Sequence, residues 1–141
     1  MAFLYLLDTN IISELSKPII DKNMLTNFSR KQYLSAISAI TLQELLLGHA
    51  LLPDGKRKDQ LTHFIDLIVR NFEIIPYERN AASCYAEIAS QCQKGGNVRP
   101  VCDTQIAATA LANNMILATR NLKDFLPMQI VCQLKVENWF V

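Results

Sequence analysis

Along the chain, short apolar runs alternate with longer stretches whose apolar residues recur at helical spacing. The run over 3–7 (FLYLL) stops at Asp8-Thr9-Asn10, the pattern of a buried strand that hands over to a helix across 11–16, before Pro18. Residues 33–40 predict a second strand, and Thr41 is placed to cap a leucine-rich helix that ends near 48–52. After a turn at Pro53-Asp54-Gly55, helical periodicity returns over 58–70, followed by a strand over 72–75 that Pro76 stops. An amphipathic helix over 78–93 runs into Gly95-Gly96. An alanine-rich helix over 103–114, a strand over 115–118, a short helical turn over 121–125 and a last strand over 129–132 complete the pattern. Strands separated by helices predict a parallel sheet covered on both faces, an α/β fold. In such sheets ligands gather beyond the carboxyl ends of the strands, which is where the chemistry is to be sought.

Composition narrows the classes further. The 141 residues suit a single domain over 1–141, and 50% hydrophobic against 19% charged residues excludes a disordered or low-complexity chain. A net charge of +1 excludes a basic nucleic-acid arm or an acidic tail, so any nucleic-acid contact must be local. Cys84, Cys92, Cys102 and Cys132 form no Cys-x-x-Cys pair and have only His49 and His63 for company, which argues against zinc and for small core residues in a reducing cytosol. Neither histidine has a nucleophile at a recognisable spacing. The apolar start over 1–7 is too short for a signal-peptide core, and no apolar stretch is long enough to span a bilayer, so a cytoplasmic protein is expected. The four glycines cannot be arranged into a phosphate-cradling loop.

More informative than the number of charges is their spacing. Asp8 is the only charged residue in 1–13, Glu44 the only one in 32–53, and Asp103 the only one in 100–119. A lone carboxylate in an apolar segment costs on the order of several kcal/mol unless hydrogen bonds, a cation or a raised pKa relieves it. Asp8 follows a predicted strand, Glu44 lies a turn into the helix after another, and Asp103 opens a helix of the same series. All three can reach one edge of the sheet, and several carboxylates with no softer ligand suit Mg²⁺ or Mn²⁺. After the strand over 115–118, Thr119, Arg120 and Asn121 add a hydroxyl, a phosphate-binding cation and an amide oxygen. Each acid also has a plainer reading: Asp8 and Asp103 as helix N-caps, Glu44 on a solvated helix face, Asn121 and Asp124 as a capping box. An aspartyl phosphatase would need a second Asp at position 10, where Asn10 stands.

Four segments, LLDTNIISEL over 6–15, SAITLQELLLG over 38–48, DTQIAATA over 103–110 and ATRNLKDF over 118–125, resemble in order and register the PIN-domain nucleases, and among them the VapC-type toxins of toxin–antitoxin pairs. The resemblance implies a three-layer α/β/α fold with a central parallel sheet and Mg²⁺- or Mn²⁺-dependent endoribonuclease activity. It also implies a small cognate antitoxin and a homodimer. Asp8, Glu44 and Asp103 fall on the family's acidic positions, and Asn121 on a fourth that is often Asp, a departure that bears on whether one ion or two is held. RNA would be gripped by Arg120, with Thr119 and residues such as Arg99 and Lys123, as a loop or single strand. An RNA-processing nuclease without antitoxin, or a non-catalytic binding module on the same scaffold, are the alternatives.

Overall fold

In the computed structural model, which describes residues 3–141, five strands form one parallel sheet of order β3-β2-β1-β4-β5. The strands are β1 (Tyr5–Leu7), β2 (Ser35–Ser38), β3 (Glu73–Ile75), β4 (Ile116–Thr119) and β5 (Val136–Asn138). Among the described residues the helices are α1 (Thr9–Leu15), α2 (Lys22–Lys31), α3 (Ala39–Ala50), α4 (Lys56–Asn71), α5 (Arg79–Lys94), α6 (Val101–Ala112) and α7 (Leu122–Val131). The first two residues of the apolar run over 1–7 lie outside the described residues.

Alternation along the strands feeds two cores, one on each face. Leu6, Ala36 and Leu117 pack with Ile88, Ile106, Ala107, Phe125 and Met128 beneath α5, α6 and α7. Tyr5, Leu7, Ile37 and Ala118 turn the other way, onto Ile11, Ile12, Met24, Ile65, Ile68 and Trp139. The sheet is thus covered on both sides, the α/β/α layering that the strand–helix alternation predicts. The alanines of α6 let it sink into this arrangement, with every residue from Ile106 to Ala110 buried. Its buried threonines, Thr104 and Thr109, each donate to the carbonyl one turn back at 2.8 Å, so no hydroxyl is left wanting.

The strand order fixes where a ligand can sit. The chain builds outward from β1 through β2 to β3, then returns to the other side of β1 for β4 and β5. The carboxyl ends of β1 and β4 therefore flank the switch point, and the connections leaving them diverge to open a crevice. Asp8 follows β1 directly and Arg120 follows β4.

Several sequence expectations shift. Helix α2 is an addition to the pattern: only three of its ten residues are apolar, yet Met24 and Phe28 stand one turn apart and face the core. Ser38, not Thr41, caps α3: the Ser38 hydroxyl accepts the Thr41 N–H at 3.0 Å, and the helix begins three residues earlier than Thr41 would allow. Residues 121–125 are the opening of α7, a ten-residue helix that continues through Pro127, and the strand expected over 129–132 lies largely within it. Proline removes one N–H from the helix, yet Phe125 and Met128 stay fully buried at i, i+3 spacing, and that burial overrides the break. The last strand is instead β5, followed by Trp139, whose ring meets Tyr5 edge-on at 5.4 Å.

The helical register of α7 has a direct consequence, because Met128 is fully buried while Ile130 is 77% exposed. Met128→Ala should lower the unfolding free energy by about 2–5 kcal/mol and Ile130→Ala by less than about 0.5 kcal/mol. Urea titrations of the two variants check this; equal costs would argue for an extended segment there.

Candidate active site

Asp8 is the N-cap of α1 and a buried acid of the crevice, with 6% of its surface exposed. Its Oδ1 accepts the Thr9 N–H at 2.8 Å, while Oδ2 accepts the Thr119 hydroxyl at 2.8 Å and the Asn10 side-chain amide at 3.1 Å. All of these donors are neutral. Burial pushes the Asp8 carboxyl up to about 6; the hydrogen bonds from Thr119 and Thr9 oppose this, and the negative charges of Asp103 and Glu44 add to it.

Glu44 projects from α3 toward α1, where its Oε1 accepts the Thr9 hydroxyl at 2.6 Å. That hydroxyl also lies 3.2 Å from Thr41, which links the capping turn of α3 to the start of α1. Asp103 sits in the first turn of α6, but the capping position belongs to Pro100, so the N-cap reading of Asp103 does not hold. Burial raises the Asp103 pKa first, then the charges of Asp124 and Glu44, with Arg99 opposing them. Asp8, Glu44, Asp103, Asn121 and Asp124 line one cleft of about 350 Å³. A depression of about 610 Å³ elsewhere, walled by Phe28, Leu67 and Phe72, gathers no such set of acids, so volume is a poor guide here.

The residues from the last position of β4 onward divide their work differently from expectation. Thr119 is fully buried and cannot touch a substrate; it donates to Asp8 and accepts from the Asn121 N–H at 3.1 Å. Asn121 holds the N-cap position of α7 without a side-chain capping bond, so the Asn121–Asp124 capping box does not form. Asp124 instead turns its carboxylate into the cleft and supplies a fourth acid, which the spacing Asn-x-x-Asp hid behind a plausible structural role. Arg120 lies on the rim. Arg99 does not line the cleft: its guanidinium donates to the Asp124 carbonyl at 2.9 Å and braces α7. Lys123 is exposed on a neighbouring depression shared with Arg120 and Asn138. His49 meets the Thr62 hydroxyl at 2.7 Å and joins α3 to α4, an ordinary structural contact.

Sequence patterning missed Glu14 and Lys17, which share the rim with Arg120. Glu14, on α1, is only 5% exposed, and its Oε1 lies 2.8 Å from Lys17 Nζ and 3.8 Å from Arg120. Lys17, with the Asp21 N–H donating to Oε2 at 3.0 Å, holds Glu14 below the usual carboxylate range. Two acids with little exposed surface thus behave oppositely: Glu14, shallow at the rim, is relieved by Lys17, whereas Asp8, deep in the crevice, keeps its charge problem.

Oxygen donors alone, several of them anionic, fit a hard divalent cation. Among the described residues no three acid, histidine or cysteine side chains stand close enough to close together on a single ion. Mg²⁺ does not require this, since it retains waters and is commonly bound through one or two carboxylates.

Comparison with known proteins is consistent across sequence and structure. Residues 5–126 match the model of the PIN domain. The VapC ribonuclease Y4jK of Sinorhizobium fredii is 34% identical over 84% of this chain and 88% of its own length. FitAcB from Neisseria gonorrhoeae aligns with a TM-score of 0.86 at 33% identity, covering 97% of this chain and 99% of that one. VapBC2 from Rickettsia felis, solved on a DNA fragment from its promoter, aligns with a TM-score of 0.82 at 28% identity over 97% of this chain and 99% of that one.

The raised Asp8 pKa sets a pH dependence for the metal-free protein. Because the folded pKa of about 6 exceeds the ordinary 3.8, folding takes up a proton in that window. The contribution is full below pH 4 and is lost as pH rises through 6. Relative to Asp8→Asn, wild-type stability in EDTA should fall by about 2–2.5 kcal/mol between pH 4 and pH 7. Urea midpoints across that range measure it, and a pH-independent gap would contradict the burial of an ionisable Asp8.

Proposed function

Since the chain belongs to the PIN-domain family, we propose that it is a VapC-type endoribonuclease, the toxin of a toxin–antitoxin pair, hydrolysing RNA phosphodiester bonds with Mg²⁺ or Mn²⁺. The observation that carries the reading is the gathering of Asp8, Glu44 and Asp103 in one cleft at the switch point with, among the described residues, no cation paired to Asp8 or Glu44.

Asp8 and Asp103 would hold the ion, with Glu44 acting directly or through water and Asp124 and Asn121 at the margin. When bound, the cation lowers the pKa of a water and offsets negative charge on the scissile phosphate. The chain supplies the rest. Thr119, Asn10 and the Thr9 N–H fix both oxygens of Asp8 in place, and Thr9 fixes Glu44, so the carboxylates need not reorganise as substrate arrives. With their hydrogen bonds coming from neutral groups, they remain acceptors for a cation. No side-chain nucleophile is needed, and water is the attacking group.

The same anionic cleft suits a small cognate antitoxin that inserts a cationic side chain. We place the protein in the cytoplasm as a homodimer; among the described residues no helix is long and apolar enough to cross a membrane. Co-expression with a small neighbouring antitoxin gene should suppress toxicity and yield a stable complex; failure of both would leave a free-standing nuclease.

Purified protein should cut total cellular RNA with Mg²⁺, stop in excess EDTA, and lose at least about 100-fold in rate on Asp103→Asn. Cleavage unchanged in EDTA would overturn the metal-dependent reading. Asn121→Asp, placing a further negative charge at the cleft, should lower the melting temperature in EDTA and enlarge the rise on adding Mn²⁺. Identical melts with and without Mn²⁺ in the two proteins would put Asn121 outside the metal's reach.

A further inference from the structure

The rim formed by Glu14, Lys17 and Arg120 has features that an incidental surface ion pair lacks. Exposed pairs between flexible side chains are worth little and need no special geometry. Here the shared carboxylate is buried, and both cations converge on a single oxygen, Glu14 Oε1, at 2.8 and 3.8 Å. Glu14 Oε2 is occupied by the Asp21 N–H at the capping turn of α2, so the carboxylate cannot swing away. The Arg120 guanidinium also lies over the Phe140 ring at 4.6 Å, and its backbone N–H donates to Asn10 at 3.1 Å.

The cationic ends remain open. Lys17 and Arg120 side chains are 53% and 52% exposed, and both line the same cleft as Asp8, Glu44 and Asp103. One carboxylate oxygen cannot use the three donors of an ammonium and the five of a guanidinium, so most point to solvent. Two cations against one carboxylate leave this rim with a net positive charge beside a floor of acids. A nucleic-acid strand crossing the cleft needs that combination: anions where a metal is to be held, cations where the neighbouring backbone charge rests.

Resting on the nuclease reading above, we propose that Lys17 and Arg120 together bind a second backbone phosphate of the RNA, next along the strand from the scissile one. Glu14 holds the two cations together, and Phe140 keeps the guanidinium plane in place. The subsite recognises phosphate rather than base, so it confers affinity and register on the strand without sequence preference.

The test is equilibrium binding of a short oligoribonucleotide to the full chain in EDTA, where metal-assisted hydrolysis cannot run, followed by fluorescence anisotropy across a salt series, with steady-state cleavage of the same RNA in Mg²⁺ alongside. Lys17→Ala and Arg120→Ala should each weaken binding about five- to tenfold at low salt, and the double variant should reduce the slope of log K against log salt by about 0.7, the share of one phosphate. In cleavage the loss should fall on KM, with kcat within about twofold. Lys17→Arg should restore binding. Lys135→Ala, changing an exposed lysine before β5 at the opposite end of the sheet, should match wild type in both assays. Wild-type binding in both alanine variants and an unchanged salt slope in the double variant would overturn the subsite while leaving the nuclease reading intact. Binding that depends on the two cations, without any cleavage, would overturn the nuclease reading and leave the subsite.

Discussion

The hydrogen bond from Thr119 to Asp8 joins the carboxyl ends of the two central strands at the point where the sheet changes its direction of growth. The site depends on that contact. β1 and β4 are paired through Leu7 and Ala118, and the residue after each then turns toward the other across the crevice. An acid so placed is buried, and burial of a carboxylate is tolerable only with its lone pairs occupied. Thr119, Asn10 and the first N–H of α1 occupy them, so the fold needs small polar residues at 9, 10 and 119 as much as it needs the acid at 8.

Depth and partners together set the two acids apart. Glu14 and Asp8 both leave little surface exposed, but Glu14 lies shallow at the rim under a lysine, whereas Asp8 lies deep, where burial is the largest influence on its charge. Glu14 is met by Lys17 and falls below the usual carboxylate range, its charge already answered within the protein. Asp8 is met by hydroxyl and amide groups, and its pKa rises to about 6 beside Glu44 and Asp103. Hydrogen bonds orient the second carboxylate without neutralising it, and a cation from outside is the remaining means of relief. Lys17 and Arg120, anchored on Glu14, are close enough to serve a polyanion and are kept from filling the acid floor.

What the sequence reveals follows from which residues carry an undiluted signal. Strands β1, β2 and β4 are legible because all or nearly all their residues are buried, so each is filled by apolar or small residues without a charge. The three isolated acids are legible because apolar neighbours make an unpaired charge expensive. Helix α2 carries its period in few residues, with Met24 and Phe28 one turn apart toward the core among mostly polar neighbours, so it stands out less than the charge-free strands. In α7, Pro127 is a misleading local signal, and the burial of Phe125 and Met128 that overrides it depends on partners distant in sequence. Asp124 and Lys17 are hidden for a similar reason: each stands among ordinary surface residues, and only the fold turns it toward the cleft. Thr119 misleads in the other direction, because a hydroxyl beside a site reads as a ligand contact whether it faces the substrate or braces a side chain.

The central claim is that the negative charge at the switch point is held ready for a divalent cation. Calorimetric titration of the purified protein with Mn²⁺ at pH 6, in two buffers of different ionisation enthalpy, tests it most directly. With an Asp8 pKa of about 6, saturable binding should release about half a proton per ion, and Asp8→Asn should abolish both the binding and the release. Absence of saturable binding in the wild-type protein, or binding that survives unchanged in Asp8→Asn, would contradict it.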